Sequence, residues 1–344
     1  MNASLLLTTY QAGKLMAVRA RDGKVSTLLR SFERPMGLAL DRDQIALGTR
    51  NAVWFLRNAA DVAPQLEPLH THDACLVPRR NHITGDISGH EMGWAQADKR
   101  ASTTEGANGA PELWIVNTRF SCLCSLHPDY SFVPRWRPRF VSELVAEDRC
   151  HLNGLAMVGG EPKYVTALGQ TNEFRGWKVG KADGGVIIDI PSHEVVAHGL
   201  AMPHSPRWHA GKLWVLNSGE GELQVVNPET GQRDKVVRLP GYTRGLAFYE
   251  QYAFVGLSKI REEEEFGGLP IKARGEALQC GIWVIDWRRG AIAEFMAFEA
   301  GCEEVFAVEV LPGIRWPAVV GFKQETINGV FVVPPECTLP LIAR

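Results

Sequence analysis

Met36-Gly37-Leu38-Ala39-Leu40, Asn153-Gly154-Leu155-Ala156-Met157 and Arg244-Gly245-Leu246-Ala247-Phe248 are copies of one phrase, x-Gly-Leu-Ala followed by an apolar residue. Looser copies are His90-Glu91-Met92-Gly93-Trp94, His204-Ser205-Pro206-Arg207-Trp208 and Glu304-Val305-Phe306-Ala307-Val308. The small residues suit a strand that its neighbours approach closely. A second short apolar run with a polar end follows each copy, as in Leu113-Trp114-Ile115-Val116-Asn117 and Leu213-Trp214-Val215-Leu216-Asn217. Third and fourth runs complete most units. Four short strands per unit, turns between them, no helical period and a repeat of about 50 residues predict an all-β propeller.

The N-terminus joins the pattern. Tyr10-Gln11-Ala12-Gly13-Lys14-Leu15 aligns with Ser218-Gly219-Glu220-Gly221-Glu222-Leu223, so residues 5–32 supply the second, third and fourth strands of a unit without a first. The chain's last β run, 330–333, reads as a third strand. A ring closed by N- and C-terminal strands in one blade follows. Seven middle hairpins against six clear inner strands allow six or seven blades and favour seven, in a single domain over 1–344.

Composition bounds the partners. With 37 basic and 39 acidic residues the chain has no general electrostatic grip on nucleic acid or on an anionic membrane. No apolar run is long enough to span a bilayer, and residues 1–10 lack the basic start and cleavage site of a signal peptide. Seven cysteines without zinc-type spacing read as buried thiols in a reducing compartment, hence a cytoplasmic protein.

In a propeller the first strands start, and the second strands end, on one face. Most long loops fall there: 69–89, 139–150 (read as a short helix), 170–185 and 259–279. Long loops on a rigid scaffold mark the functional face, which a protein partner could also use. The repeat places Met36, His90, Asn153, His204, Arg244 and Glu304 at the mouth of the axial channel, with His151 two residues before Asn153. Second-strand ends add Asn117, Arg119, Asn217, Lys259 and Lys323. Such a polar set needs a reason, because an unpaired buried polar group costs about 1–3 kcal/mol.

Two function classes follow. In the first, His90, His151 and His204 hold a divalent transition metal (Zn, Mn, Fe or Ni), since imidazole with a nearby carboxylate suits all four. Glu304, Arg244 and Arg119 are then the catalytic residues. Asn153, Asn117, Asn217, Lys259 and Lys323 bind a small polar or anionic substrate, for lyase, hydrolase or oxygenase chemistry. Metal-free catalysis by His and Arg is a variant. In the second class the propeller is a non-catalytic binding module for a peptide or protein.

The chain resembles a bacterial family of conserved-hypothetical β-propeller proteins. The likeness rests on Thr8-Thr9-Tyr10-Gln11-Ala12-Gly13-Lys14-Leu15, Asn117-Thr118-Arg119-Phe120-Ser121-Cys122-Leu123, Ser131-Phe132-Val133-Pro134-Arg135-Trp136-Arg137-Pro138, Cys150-His151-Leu152-Asn153-Gly154-Leu155-Ala156 and Met202-Pro203-His204-Ser205-Pro206-Arg207-Trp208. It implies the propeller fold and no particular activity. Relatives tend to have Asp where this chain has Glu91, a change that keeps an acid. An architectural likeness extends to propellers with an axial metal, namely oligogalacturonate lyases, gluconolactonase-like hydrolases and carotenoid oxygenases. No residue carries over from them by motif.

Overall fold

Six antiparallel sheets form a closed ring in the computed structural model, which describes residues 1–42, 44–96, 111–260, 267–322 and 325–334. Blade 1 holds β1 (Ala3–Thr9), β2 (Lys14–Arg21) and β3 (Lys24–Ser31), with β24 (Ala307–Pro312) as its innermost strand. Blade 2 runs outward through β4 (Leu38–Asp41), β5 (Gln44–Gly48), β6 (Ala52–Asn58) and β7 (Ala74–Ile83). Blade 3 comprises β8 (Gly89–Ala95), β9 (Glu112–Asn117), β10 (Cys122–His127) and β11 (Tyr130–Trp136). In blade 4 the order is β12 (Leu152–Val158), β13 (Glu161–Ala167), β14 (Gly185–Asp189) and β15 (Val195–Leu200). Blade 5 has β16 (Pro203–His209), β17 (Lys212–Asn217), β18 (Glu222–Val226) and β19 (Arg233–Arg238). Blade 6 has β20 (Tyr242–Tyr249), β21 (Tyr252–Ser258), β22 (Gly281–Asp286) and β23 (Ala291–Ala297).

The blade count is six, which corrects the preference for seven. The N-terminal hairpin and the inner strand near Glu304 are two parts of one blade. β1 pairs antiparallel with β24, from Ala3 opposite Pro312 to Thr8 opposite Ala307. The run after β24, expected to be a second strand, instead forms β25 (Pro317–Val319). It pairs in parallel with β7 and becomes a fifth strand on blade 2. Both Asp73 carboxylate oxygens accept the backbone N–H groups of Arg315 or Trp316, and Arg19 stacks its guanidinium 4.5 Å from the Trp316 ring. The ring is thus tied twice, by β24 and by β25. Segment 139–150, expected to be helical, is irregular.

Strand alternation fills the spaces between blades. Leu5 and Leu7 of β1 point into a cluster with Phe254, Ile282 and Val308, while Leu6 points the other way, to Leu38, Leu47 and Leu56. Each such buried side chain contributes about 1.5–3 kcal/mol. The glycine of the repeated phrase answers a steric demand. A Cβ on Gly37 would lie 2.6 Å from the His90 carbonyl oxygen, and one on Gly154 would lie 2.3 Å from Pro206 Cδ. Inner strands of adjacent blades touch there, so no side chain fits. The six described cysteines are buried and free.

Further along the inner strands three blades share a partly buried charge group. Arg207 Nη1 lies 2.7 Å from Glu91 Oε1, and its Nη2 lies 3.8 Å from Glu309 Oε1. Glu91 Oε2 also accepts the Leu155 N–H at 2.8 Å. Burial pushes the Glu309 carboxyl up to about 7; Arg207 opposes the shift and Glu91 adds to it. In the unfolded chain this carboxyl returns to its ordinary value of 4.5. Between those values the folded chain keeps a proton that the unfolded chain releases, so this contribution to stability is lost as pH rises through the window. The Glu309→Gln variant, which keeps the Glu91–Arg207 pair, is expected to flatten the pH dependence between pH 5 and 8. It should also be more stable than wild type at pH 8 by about 1–3 kcal/mol. Urea denaturation at both pH values checks this, and an unchanged slope would count against it.

Candidate active site

The inner-strand starts and second-strand ends surround a cavity of about 440 Å³ on the axis. Met36, His90, His204, Arg244 and Glu304 line it, as the repeat predicts, and so does His151. Loops 139–150 and 170–185 build one wall with Glu147, Asp148, Phe174, Arg175 and Trp177. Trp177 and Tyr242 are held from behind by Leu269 and Ile271, which belong to the long loop after β21.

His90 and His204 are set by the same device, two blades apart. The His90 Nδ1–H donates to the Ser88 carbonyl at 2.9 Å and lies 2.7 Å from Thr118 Oγ1. Thr118 gives its own proton to the Leu152 carbonyl of the next blade at 2.5 Å, so toward His90 it can only accept. In blade 5 the His204 Nδ1–H donates to the Met202 carbonyl at 2.9 Å and lies 3.0 Å from Ser218 Oγ. Ser218 donates onward to the Thr243 carbonyl at 2.6 Å. A carbonyl cannot donate, so each proton sits on Nδ1 and each Nε2 carries a lone pair. Neither Nε2 makes a hydrogen bond among the described residues, although both rings line the cavity. Both imidazoles are held well below their usual range. Burial is the main cause for each, reinforced by His151 then Arg244 at His90, and by Arg244 then His151 at His204.

His151 is oriented differently. It has a left-handed backbone, φ 48°, and its Nδ1 lies 2.9 Å from Asp148 Oδ2. Trp177 Nε1 donates to the same carboxylate oxygen at 3.2 Å, and the Trp177 ring packs 4.5 Å from the imidazole. A carboxylate on Nδ1 fixes the proton there and leaves Nε2 able to accept one from a ligand.

Arg244 lays its guanidinium over Phe306, 3.5 Å from the ring centroid. Among the described residues it makes no hydrogen bond and no ion pair with a carboxylate. Its charge persists, since a guanidinium does not deprotonate in proteins. Glu304 lies ahead of β24. Its Oε2 accepts the Gln11 N–H at 2.9 Å, while Oε1 is buried without a hydrogen-bond partner among the described residues. Burial raises this carboxyl, opposed by Arg244. Arg119 already has a partner, with Nη2 3.0 Å from Asp86 Oδ2. Arg34 lies 4.0 Å from the same carboxylate oxygen and donates to the Tyr10 hydroxyl.

The expected metal centre is corrected. Among the described residues no group of three or more His, Cys, Asp and Glu side chains is placed to hold a metal ion. His90, His151 and His204 therefore do not form a metal-binding histidine cluster, and the assignment of Zn, Mn, Fe or Ni falls with it. A ligand set needs its nitrogens at about 2.0–2.2 Å from one point. The His90 and His151 rings instead meet nearly edge-on, at 84° with centroids 4.9 Å apart, and the Arg244 charge bears on His90 and His204.

The residues expected to bind substrate lie mainly elsewhere. Asn117 Oδ1 accepts the Phe120 N–H and Asn217 Oδ1 accepts the Ala201 N–H, so both hold turns. Asn153 bridges Thr166 and the Pro203 carbonyl. Lys259 lines a separate shallow pocket with Lys272 and Glu276. Lys323 lies outside the described residues. Sequence reasoning passed over Tyr10, Arg34, Thr118, Asp148, Trp177, Ser218, Tyr242 and Phe306. A signal existed for two of them, because the repeated Leu-Trp-x-x-Asn run ends in Thr118 in one blade and Ser218 in another.

Residues 1–320 match the family described as "Domain of unknown function (DUF4915)", and the chain belongs to that family. A comparison with curated proteins finds no match. Among solved structures, the chain is similar to one titled "Crystal structure of Nidogen/Laminin Complex". The TM-score is 0.49 at 9% identity, with 90% of this chain and 98% of that chain covered. It is also similar to a protein of unknown function from Bacteroides caccae, with a TM-score of 0.49, 8% identity and the same coverage.

The imidazole geometry has a direct spectroscopic consequence. Long-range ¹H–¹⁵N spectra at pH 6 should show His90 and His204 as neutral Nδ1–H tautomers with unprotonated Nε2. An Nε2–H tautomer, or an imidazolium at that pH, would contradict the assignment.

Proposed function

We propose that this member of the DUF4915 family is an enzyme whose axial cavity takes a small anionic substrate, held by Arg244, and moves a proton with His151. Asp148 orients that imidazole. The observation that carries the reading is Arg244 itself. It is a permanent cation, half-buried on Phe306, that makes no direct ion pair or hydrogen bond with a carboxylate among the described residues; Glu304 acts on its charge only from a distance and does not offset its burial. A charge withdrawn from water without a partner is costly, and a bound carboxylate or phosphate would offset that cost through paired N–H donors. His151 adds the chemistry. A carboxylate-oriented imidazole with its other nitrogen open to a ligand cavity is the arrangement of a general base. Glu304, next to Arg244 and raised by burial, could supply a proton on the return step. The cavity volume lies within the range of small-molecule sites. Among the described residues no helix is long and apolar enough to cross a membrane. The buried free thiols agree with a reducing, cytoplasmic setting.

Calorimetric titration with a panel of small carboxylates and phosphate esters tests the reading. Binding of at least one is expected, weakened at least tenfold in Arg244→Gln. NMR of that ligand in D2O should show deuterium incorporation or conversion with wild type and neither with His151→Asn, whose affinity should stay within a few fold. Binding indifferent to Arg244→Gln would overturn the anion site. Binding without any exchange or conversion would leave a binding module.

A further inference from the structure

From the paired imidazoles we infer that the ligand is a polyhydroxylated anion, a molecule that brings at least two hydroxyl donors as well as its charged group. This rests on the reading of Arg244 as the anion anchor and goes beyond it. His90 and His204 stand in blades 3 and 5, each with Nδ1–H turned to a backbone carbonyl of its own loop and to a hydroxyl whose proton is already donated elsewhere. At both rings the carbonyl on Nδ1, which cannot donate, selects the Nδ1–H tautomer; at His204 the Tyr242 hydroxyl lies farther off, 3.4 Å from the same nitrogen. Each ring presents Nε2 to the cavity as an acceptor, and nothing in the described protein donates to it. Two buried acceptors beside a guanidinium define the complement. A bare carboxylate or phosphate would satisfy Arg244 but would set oxygen lone pairs against nitrogen lone pairs. The polar atoms of the site would then stay unpaired, at a cost of about 1–3 kcal/mol each. Neutral hydroxyl groups resolve this by donating to Nε2. An ammonium group could also donate, but the Arg244 charge that depresses both imidazoles would repel it. Discrimination by a site built to accept hydrogen bonds is large, because an analogue lacking the hydroxyls leaves the acceptors unpaired.

Matched probes separate the two parts of the site. Gluconate against hexanoate, and glycerol 3-phosphate against propyl phosphate, share the anion and differ in hydroxyls; sorbitol has hydroxyls and no anion. Calorimetry should show the hydroxylated member of at least one pair binding tenfold or more tighter than its partner, with sorbitol weaker than either anion of the six-carbon pair. His90→Asn and His204→Asn keep a polar group at the Nδ1 position and remove the Nε2 acceptor. They should abolish the preference while leaving affinity for hexanoate or propyl phosphate within a few fold, in proteins whose melting temperatures confirm folding. Equal binding of both members of each pair, weakened by Arg244→Gln, would overturn the hydroxyl inference and leave the anion site standing. Failure of every anion to bind, or indifference to Arg244→Gln, would remove the underlying reading instead.

Discussion

A hydroxyl at the end of the second strand fastens most blades of this ring to the next. Thr8 donates to the Met36 carbonyl at 2.5 Å, Thr118 to Leu152 at 2.5 Å, Ser218 to Thr243 at 2.6 Å and Ser258 to Val305 at 3.2 Å. Blade 4 reaches blade 5 through a relay, Thr166 to Asn153 and Asn153 to the Pro203 carbonyl. Blade 2 has no such hydroxyl latch to blade 3 among the described residues; the Gly37 N–H is directed at the Gly89 carbonyl at 3.5 Å, and Trp94 Nε1 donates to the Ala39 carbonyl at 3.3 Å. Inner-strand starts cannot pair sideways as a sheet does, because neighbouring blades are separate sheets. Their carbonyls would otherwise be buried and unpaired near the axis. Each latch contributes only about 1 kcal/mol net, but leaving its acceptor bare would cost more.

The same latch sets the chemistry of the cavity. In blades 3 and 5 the hydroxyl that holds the next blade also receives the imidazole N–H, so ring closure and histidine tautomer share one proton chain. Thr118 and Ser218 cannot turn to donate to His90 or His204 without releasing the neighbouring blade. The cavity therefore inherits its acceptors from the architecture, and their direction is as rigid as the ring. His151 stands outside this scheme. It belongs to a loop, its backbone is left-handed, and its partner Asp148 comes from the same loop with Trp177 of the adjoining one.

What the sequence could show divides along the same line. The repeat was legible because each blade solves one packing problem. The glycine of x-Gly-Leu-Ala sits where a Cβ would strike the next blade, and the alternating leucines of β1 face opposite clusters. Counting failed where two parts of one blade lie at opposite ends of the chain: β24 pairs with β1, Ala307 opposite Thr8 and Pro312 opposite Ala3, yet in the sequence it looks like the start of a further unit. Position at the mouth was also legible, since His90, His204, Arg244 and Glu304 do meet in one cavity. Their chemistry was not. A list of histidines reads as a ligand set until the hydrogen bonds on Nδ1 are known, and those come from carbonyls and hydroxyls in neighbouring loops. Asn117 and Asn217 mark the right place in the repeat, yet it is the hydroxyl following each that touches a cavity histidine.

The charge balance of the cavity is set by Arg244 and Glu304 together. Were the two in contact, their charges would cancel and the pocket would favour neither ion. No such ion pair forms among the described residues; Arg244 lies flat on Phe306, and Glu304 turns Oε2 to the Gln11 backbone. Arg244 cannot lose its charge, whereas burial moves Glu304 toward its neutral acid, so a change of protonation relieves the carboxylate and not the guanidinium. A Glu304 that took up a proton would become a donor beside a fixed cation, with two lone-pair nitrogens across the cavity. On the proposed reading an anion relieves Arg244, and its hydroxyls relieve His90 and His204. A metal ion would meet imidazole lone pairs but also the Arg244 charge that bears on His90 and His204, and among the described residues these side chains are not placed as one ligand set.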